Sequence, residues 1–348
     1  MRIAIVTDAW HPQVSGVVTT YTATIARLKA RGHEVLAVTP AEFPTVPCPT
    51  YPEIPLALFP GRELRRRLAA FRPEAVHIAT EGPLGWAARA LCRRGGIGFT
   101  TAYHTRFPEY VRLRWPVPLS LLYRGVRRFH APAVRTMVAT DDLHQELAAR
   151  GFGHLCRWSR GVDTELFRPR DKGYLPGSRP IAMYMGRVAV EKNIEDFLRL
   201  ALPGTKYVVG DGPARQELEQ RYPAVRFVGM KHGEELACHL AAADLFVFPS
   251  RTDTFGVVLL EAMACGVPVA AYPVTGPRQS VRDGVNGYLD EDLGRAARRA
   301  LTLNGARCRE SALAFSWESC TDQFYAQLHR ITPAEQRAEA PAWAPLRR

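Results

Sequence analysis

The feature that most constrains this chain is an alternation of two hydrophobic periods that runs, stops and runs again. Apolar, β-branched runs at residues 3–6, 34–38, 75–79, 99–103 and 136–139 are separated by stretches of helical length and spacing, such as 17–30, 84–93 and 119–130. Strands that are apolar on both faces and alternate with helices predict a mainly parallel sheet covered on each side. The pattern breaks at 168–180 (RPRDKGYLPGSRP), where three prolines and two glycines interrupt any apolar period. That segment reads as an interdomain linker. Strand candidates resume at 181–185, 206–209, 226–228, 245–248, 267–271 and 286–289, with helical stretches at 191–200, 257–264 and 293–303. A chain of 348 residues suits two cores better than one. The expectation is therefore two doubly wound α/β domains, residues 1–170 and 171–315, with a cleft between them. In such sheets ligands sit beyond the carboxyl ends of the strands.

Composition excludes several classes. Hydrophobic residues make up 47% and charged residues 23%, the balance of a globular chain and not of a disordered or fibrous one. No apolar stretch approaches the roughly 20 residues that span a bilayer. The opening MRIAIVTDAW lacks the zones of a secretory leader and reads as a buried strand. Seven cysteines without a CxxC pair point to reduced thiols in a cytoplasm, not to a disulfide frame or a zinc site. The net charge of +12 is uneven: residues 1–170 hold 24 Lys+Arg against 13 Asp+Glu, and the rest of the chain is nearly balanced. A basic half attracts polyanions, so nucleic acid and anionic lipid are both open on charge alone.

Four constellations could carry chemistry. In Asp8-Ala-Trp-His-Pro-Gln-Val-Ser15-Gly16-Val17, a glycine opening a helix is either a plain turn or a place where backbone N–H groups meet an anion. In Met185-Gly186-Arg187-Val-Ala-Val-Glu191-Lys192-Asn193, two cations five residues apart suit a departing diphosphate, or else a solvated loop. Gly210-Asp211-Gly212-Pro213 follows the next strand and reads equally as a tight turn. The most specific run begins at Ser250 and passes Asp253, Phe255, Gly256, Val257 and Glu261 before Gly266 and Pro268. Glu261 lies on an otherwise apolar helical stretch, where a carboxylate needs a partner. Adjacent hydroxyls of a polyol would donate to both of its oxygens.

Together these residues resemble the family-4 retaining glycosyltransferases. Asp253-x7-Glu261 followed by Ala-x-Ala-x-Gly-x-Pro-Val looks like that family's E-x7-E region; Gly186-Arg187…Glu191-Lys192, Arg160-Gly-Val-Asp163, Ser15-Gly16-Val17 and Phe315-Ser-Trp317 fall in the family's order, over roughly residues 1–330. The resemblance implies the GT-B fold, two Rossmann-like domains facing across a cleft, with an acceptor-binding first domain and a nucleotide-sugar-binding second. It also implies a helix at 316–331 that crosses back to the first domain, leaving 332–348 as a loose tail. Arg187 and Lys192 would hold the donor diphosphate, and Gly16 would give backbone N–H to the distal phosphate. Glu261 would take the ribose hydroxyls. Asp253, with the backbone at Phe255, Gly256 and Val257, would take hydroxyls of the transferred sugar. His104 would bind that sugar's 6-position beside the anomeric centre; read without the family, it is a capped histidine at a strand end. Gly210 and the Gly229-Met230 loop would border the nucleotide. Two departures stand out: Asp253 is one methylene shorter than the family's usual Glu, and the first loop has one glycine where many relatives have two.

Within the family the chain is similar to lipid-directed members. The implied reaction moves a hexose, first choice mannose from GDP-mannose, to a lipid or glycolipid. UDP-glucose or UDP-glucuronate transfer to diacylglycerol is the alternative, and a nucleotide-sugar epimerase on the same fold is a third reading. No DxD motif is placed to hold a metal, and Asp290-Glu-Asp292 reads as a helix cap. Transfer without metal or other cofactor is therefore expected, with same-face attack in which the departing phosphate takes the acceptor's proton. Arg62, Arg65, Arg66 and Arg67, and a second group including Arg112, Arg114, Arg124, Arg127 and Arg128 near Trp115, place cations beside apolar residues. That suits the inner face of an anionic membrane; the alternative is a solvated arginine-rich face. Nothing resembles a nucleic-acid reading module. A cytoplasmic, peripherally membrane-bound enzyme is the resulting expectation.

Overall fold

The computed structural model describes residues 1–13, 15–49 and 51–335. The chain divides into two compact units: Met1–Ser159 joined by the chain from Glu318 onward, and Arg160–Trp317. In the first, β1 (Arg2–Val6), β2 (Glu34–Val38), β5 (Ala75–Ile78), β6 (Thr100–Ala102), β7 (Arg135–Val138) and β8 (Leu155–Arg157) form a sheet ordered β2-β1-β5-β6-β7-β8. Every pairing in it is parallel. An antiparallel hairpin, β3 (Thr45–Cys48) with β4 (Tyr51–Ala57), stands apart from it. In the second unit, β9 (Ile181–Met185), β10 (Thr205–Val209), β11 (Arg226–Gly229), β12 (Leu245–Phe248), β13 (Val269–Ala271) and β14 (Gly287–Leu289) pair in parallel in the order β11-β10-β9-β12-β13-β14.

The central strands explain the order. Ile3, Ala4, Ile5 and Val6, like Ile181, Met183 and Phe246, are fully or almost fully excluded from solvent, so these strands must sit mid-sheet under helices on both faces. The helix Gly16–Ala30 shows how a face is chosen. Ser15 accepts the Val18 N–H at its start, and Val18, Tyr21, Ile25 and Leu28 recur at three- and four-residue spacing and are buried. Burying Leu28 alone contributes about 2 kcal/mol. In each sheet the strand order reverses once, between β1 and β5 in the first unit and between β9 and β12 in the second. In open sheets of this kind such switch points are where loops separate and ligands enter.

Three local expectations need correction, and two short elements left no trace in the sequence. The segment 168–180 is not a free linker: the units divide at Ser159 and Arg160, and the segment is strapped to the second unit. Arg170 pairs with Glu234, Lys172 donates to the Ala243 carbonyl, Arg179 bonds Asp244 at 2.7 Å, and the Tyr207 hydroxyl donates to the Pro176 carbonyl at 2.6 Å. Prolines and glycines there suit an extended strap whose polar groups find partners on the unit beneath. The helix expected over 191–200 is split into a 3-10 turn, Val190–Lys192, and a helix, Ile194–Arg199, because Asn193 takes a left-handed conformation (φ 50°) that asparagine tolerates. The proline-rich stretch before residue 61 carries the β3–β4 hairpin, and β8 is an edge strand too short for a periodic signal. The tail expected to be loose begins fastened. Ile331 N–H donates to the Glu74 carbonyl, and Glu335 accepts the N–H groups of Gly98 at 2.9 Å and Thr332 at 2.7 Å. The rest of that tail, 336–348, lies outside the described residues.

The helix Trp317–Gln327 starts at the boundary, and from Glu318 it packs on the first unit. Arg27 binds Glu318 at 2.9 Å, Arg31 binds Asp322 at 2.6 Å, and the Trp158 indole N–H donates to the Cys320 carbonyl at 3.0 Å. Among the described residues no helix is long and apolar enough to cross a membrane.

Candidate active site

The second unit's switch point is built from the loops that follow β9 and β12. Three backbone contacts tie the strand ends together: Gly186 N–H to the Val209 carbonyl, Val188 N–H to the Asp211 carbonyl, and Gly210 N–H to the Gly229 carbonyl. Gly210 has φ 138°, and a Cβ there would lie 2.0 Å from the Gly186 carbonyl oxygen, so the close approach of two backbones already demands glycine. The Tyr184 hydroxyl donates to the Arg187 carbonyl at 2.7 Å and holds that loop from below. The two loops are then stitched to each other. Thr252 Oγ1 donates to the Glu191 carbonyl at 3.1 Å, and Asn193 Nδ2 reaches the Pro249 carbonyl at 3.3 Å.

The stitching brings Lys192 Nζ to 2.6 Å from Asp253 Oδ1, with the two side chains 21% and 19% exposed. The second oxygen, Asp253 Oδ2, is buried and has no partner among the described residues. An ammonium has three donors, so its bond to Asp253 is compatible with an anionic ligand beside it. A buried acceptor lacking a donor costs about 1–3 kcal/mol, a deficit that a ligand hydroxyl would relieve. Gly256, at φ 82°, turns the chain into the helix Val257–Ala264 without a side-chain cap. Phe255 and Val257 are buried on either side of it. In this helix Leu259, Leu260, Ala262 and Met263 are fully buried, while Glu261 keeps a narrow solvent edge. Desolvation pushes the Glu261 carboxyl up to about 7, and burial together with Glu261 pushes the nearby Cys265 thiol to about 12. Gly229 ends β11, and Met230 beyond it is 38% exposed. Asp290 is bonded to Arg295 at 2.5 Å, which holds its carboxyl down to about 2, and Asp292 caps the next helix by accepting the Arg295 N–H. The two distant motifs around Asp163 and Trp317 meet: Val162 N–H donates to the Phe315 carbonyl at 3.0 Å.

The first unit's switch point is arranged differently. Asp8, following β1, is buried and accepts the Thr80 hydroxyl at 2.8 Å and the N–H groups of Leu84 at 2.8 Å and Gly85 at 3.2 Å. It thereby caps the helix Pro83–Gly95, and desolvation still pushes its carboxyl up to about 6. Gly16 is the first residue of its helix, and its carbonyl accepts the Thr20 hydroxyl at 2.6 Å. His104 follows β6 and is buried; its Nε2 lies 2.8 Å from the Tyr21 hydroxyl, which is also 2.7 Å from His77 Nε2. Sequence reasoning quoted Asp8 without giving it a role and overlooked Tyr21 and His77. The available signals were a carboxylate directly after a buried strand and a histidine inside the apolar strand AVHI.

The arginine patches are also in the first unit. The helix Gly61–Phe71 buries Leu64 and Leu68 and carries Arg62, Arg65, Arg66 and Arg67, with Phe59 95% exposed just before it. Arg66 and Arg67 both bind Glu63, at 2.7 and 2.8 Å, and hold its carboxyl down to about 2. Arg124, Arg127 and Arg128 are exposed on the helix Leu119–His130, beside exposed Leu121 and near exposed Trp115. Tyr123 on that helix is instead buried and donates to Glu109 at 2.6 Å.

Comparison with known proteins agrees with both halves. Residues 14–166 match the model described as Glycosyltransferase Family 4, and residues 179–303 match that described as Glycosyl transferases group 1. The chain is 31% identical to a GDP-mannose-dependent alpha-mannosyltransferase of Mycobacterium tuberculosis (strain CDC 1551 / Oshkosh), over 83% of each chain. It is 30% identical to the enzyme of the same name from Corynebacterium glutamicum, over 94% of this chain and 86% of that one. It is also 30% identical to a sulfoquinovosyl transferase of Arabidopsis thaliana, over 88% and 69%. Among solved structures, sucrose-phosphate synthase from Thermosynechococcus elongatus superposes with TM-score 0.76 at 23% identity, over 94% of this chain and 98% of that one. Anabaena HepE with UDP and glucose superposes with TM-score 0.70 at 15% identity over the same shares. Two Rossmann-like units with parallel sheets and relatives matched along most of its length make this chain a member of the family-4 glycosyltransferases, a hexosyltransferase of the GT-B fold.

Proposed function

We propose that the chain is a retaining α-mannosyltransferase that moves mannose from GDP-mannose to a lipid or glycolipid on an anionic membrane, without a metal. The observation that carries this reading is the Lys192–Asp253 pair at the second switch point, with one carboxylate oxygen buried and unmet. It stands in a chain whose relatives include two proteins named as GDP-mannose-dependent alpha-mannosyltransferases. In this scheme Lys192 and Arg187 hold the diphosphate and stabilise the charge that grows on it as the sugar–phosphate bond breaks. Asp253 Oδ2 accepts a hydroxyl of the transferred sugar, helped by the backbone at Phe255, Gly256 and Val257. Glu261 accepts the ribose hydroxyls once it is ionised. Gly210, Gly229 and Met230 border the base, Gly16 serves the distal phosphate, and His104 serves the sugar's 6-position. With fixed cations in place, positioning accounts for most of the rate, and the leaving phosphate takes the acceptor's proton. Asp290 and Asp292, engaged with Arg295 and a helix start, support transfer without a metal.

For membrane attachment, Arg62, Arg65 and the apolar tip at Phe59 support docking on anionic lipid, each cation adding about 1 kcal/mol. The sulfoquinovosyl transferase relative favours a second reading, transfer from a UDP-sugar to diacylglycerol. A panel of nucleotide sugars with membrane lipid extract, run in EDTA, tests both. Release of GDP from GDP-mannose with an α-linked mannolipid product supports the first reading. UDP release alone supports the second, and an epimerised donor without transfer rejects both. Loss of all activity in EDTA, restored by a divalent metal, rejects metal independence.

A further inference from the structure

The first unit's switch point carries a second carboxylate, one that its own unit uses only in part. Glu81 follows β5 and comes just before the helix Pro83–Gly95. Its side chain is 9% exposed, and Oε1 lies 3.0 Å from His130 Nε2. Oε2 has no partner among the described residues and, unlike Asp253 Oδ2, is open to solvent.

The backing of this carboxylate is stiff. His130 ends the helix Leu119–His130, and its side chain is almost wholly buried. Its Nδ1 is 2.9 Å from Thr101 Oγ1, which is 3.0 Å from Thr136 Oγ1; both threonines are fully buried, on β6 and β7. Arg89 grips the same helix end, donating to the carbonyls of Phe129 at 2.9 Å and Arg128 at 2.7 Å. Gly85 lets the helix after Glu81 close onto the loop, since a Cβ there would sit 1.9 Å from the Thr80 carbonyl oxygen. Two strands and two helices therefore fix Glu81, and little of its freedom remains to be lost on binding.

The chemistry of the free oxygen limits what it can take. A carboxylate offers lone pairs and no proton, so it accepts from O–H or N–H groups. A phosphate brings only more lone pairs and like charge to the same place, which works against binding. Asp8, whose carboxyl is raised by burial and to a lesser degree by Glu81, adds to the acidity nearby.

We propose that Glu81 Oε2 binds a hydroxyl of the acceptor, and that the acceptor headgroup is an uncharged polyol and not a phosphorylated one. This rests on the transferase reading above, whose lipid acceptor it narrows. Charge then has two separate tasks in the first unit. Arg62 and Arg65 hold the protein to anionic lipid, while Glu81 selects a neutral molecule from that surface.

The test follows nucleotide release and product formation by the full chain on phosphatidylserine-containing vesicles of constant total charge. GDP-mannose and UDP-glucose are the donors. Diacylglycerol and monoglucosyl-diacylglycerol are the neutral acceptors, and phosphatidylinositol is the phosphorylated one. The wild type is expected to use a neutral acceptor at least about a hundredfold better in kcat/KM. Glu81→Gln keeps the shape and removes the charge; acceptor KM is expected to rise about tenfold and the preference to narrow, with donor KM changed by less than about twofold. Glu81→Asp keeps the charge and withdraws the oxygen, so acceptor KM should rise while the preference against phosphatidylinositol persists.

A wild type that prefers phosphatidylinositol overturns the proposal, and that result needs no variant to fold. Transfer with the same acceptor KM and preference in wild type and Glu81→Gln overturns the acceptor site and leaves the transferase reading intact. No nucleotide release from either donor with any acceptor rejects that reading and the acceptor site with it. Thermal unfolding of each variant separates these outcomes from loss of the fold.

Discussion

Each unit is a six-stranded parallel sheet with a carboxylate at its switch point, though the strand orders differ, and the two carboxylates are used in opposite ways. Asp8 is fully employed by its own unit: Thr80, Leu84 and Gly85 supply its donors and it caps a helix. Asp253 has one oxygen on Lys192 and the other buried without a donor, and Glu261 nearby is kept from ionising easily by its surroundings. A satisfied carboxylate is structural glue. An incompletely satisfied one, stitched beside a cation, holds its place for a ligand. A carboxylate after a parallel strand can therefore serve as scaffold in one unit and as a candidate ligand group in the other.

The contrast is sharpest under mutation. Asp253→Asn or Lys192→Ala should lower kcat/KM by about 10²–10³, the usual loss when one preorganised charge is removed from a site, while stability moves by no more than about 2 kcal/mol. Transfer assays paired with urea unfolding would show it; full activity in both variants would break the assignment. Asp8→Ala should behave inversely, losing about 3 kcal/mol of stability as three donors lose their acceptor, with turnover per folded molecule within about twofold of wild type. If activity collapsed while the unfolding midpoint held, Asp8 itself would act on a ligand rather than on its own unit. The charge asymmetry between the halves gives a third test. Arg66 and Arg67 are partly neutralised by Glu63, so Arg62→Gln with Arg65→Gln should weaken binding to anionic vesicles roughly thirtyfold at low salt, and Arg66→Gln with Arg67→Gln by less. Equal effects in flotation assays would show that the Glu63 pairs do not matter.

The smallest effect is on pH. Asp8 and Glu261 have native pKa values raised to about 6 and about 7 by burial, so the native state holds more protons than the unfolded chain between the ordinary carboxylate range and those values. Stability of the ligand-free protein should accordingly fall as pH rises through that window, and Glu261→Gln should remove the second unit's share of the slope. Donor binding should run the other way, because ribose hydroxyls donate to the ionised form. Affinity is expected to rise about tenfold from pH 6 to 8 and then level, with a proton released on binding at pH 6.5, as read by calorimetry in two buffers. A flat profile would mean that Glu261 does not titrate in the ligand-free site.

Much of the architecture was legible because burial leaves a periodic trace: IAIV after Arg2 and IAMYM after Pro180 announce central strands, and Gly16 and Gly256 mark helix entries. What was not legible lacked a period. The segment 168–180 carries no apolar stripe, so nothing in it distinguishes a strap from a linker; only Arg170, Lys172 and Arg179 finding partners on the second unit decides it. Asn193 looks like any helical residue until its left-handed turn separates Lys192 from the helix that follows. In the candidate site, Lys192, Asp253 and Glu261 stand out by type and spacing. Asp8 was read only as part of a loop, and Tyr21 and His77 were missed, since a buried polar side chain inside an apolar element looks like core until its partners are known.

The linear order of residues determined that there would be two parallel sheets, how their strands and helices follow one another, and which loops would carry cations and carboxylates, because those depend on local periodicity and on residue chemistry. It did not determine that Lys192 and Asp253 meet at 2.6 Å, that Asp253 keeps one oxygen unmet, or that Tyr21 joins two histidines lying far apart in the chain. Those contacts span tens of residues, and their energies depend on distance, direction and exclusion of water. Such quantities exist only once the chain has closed on itself.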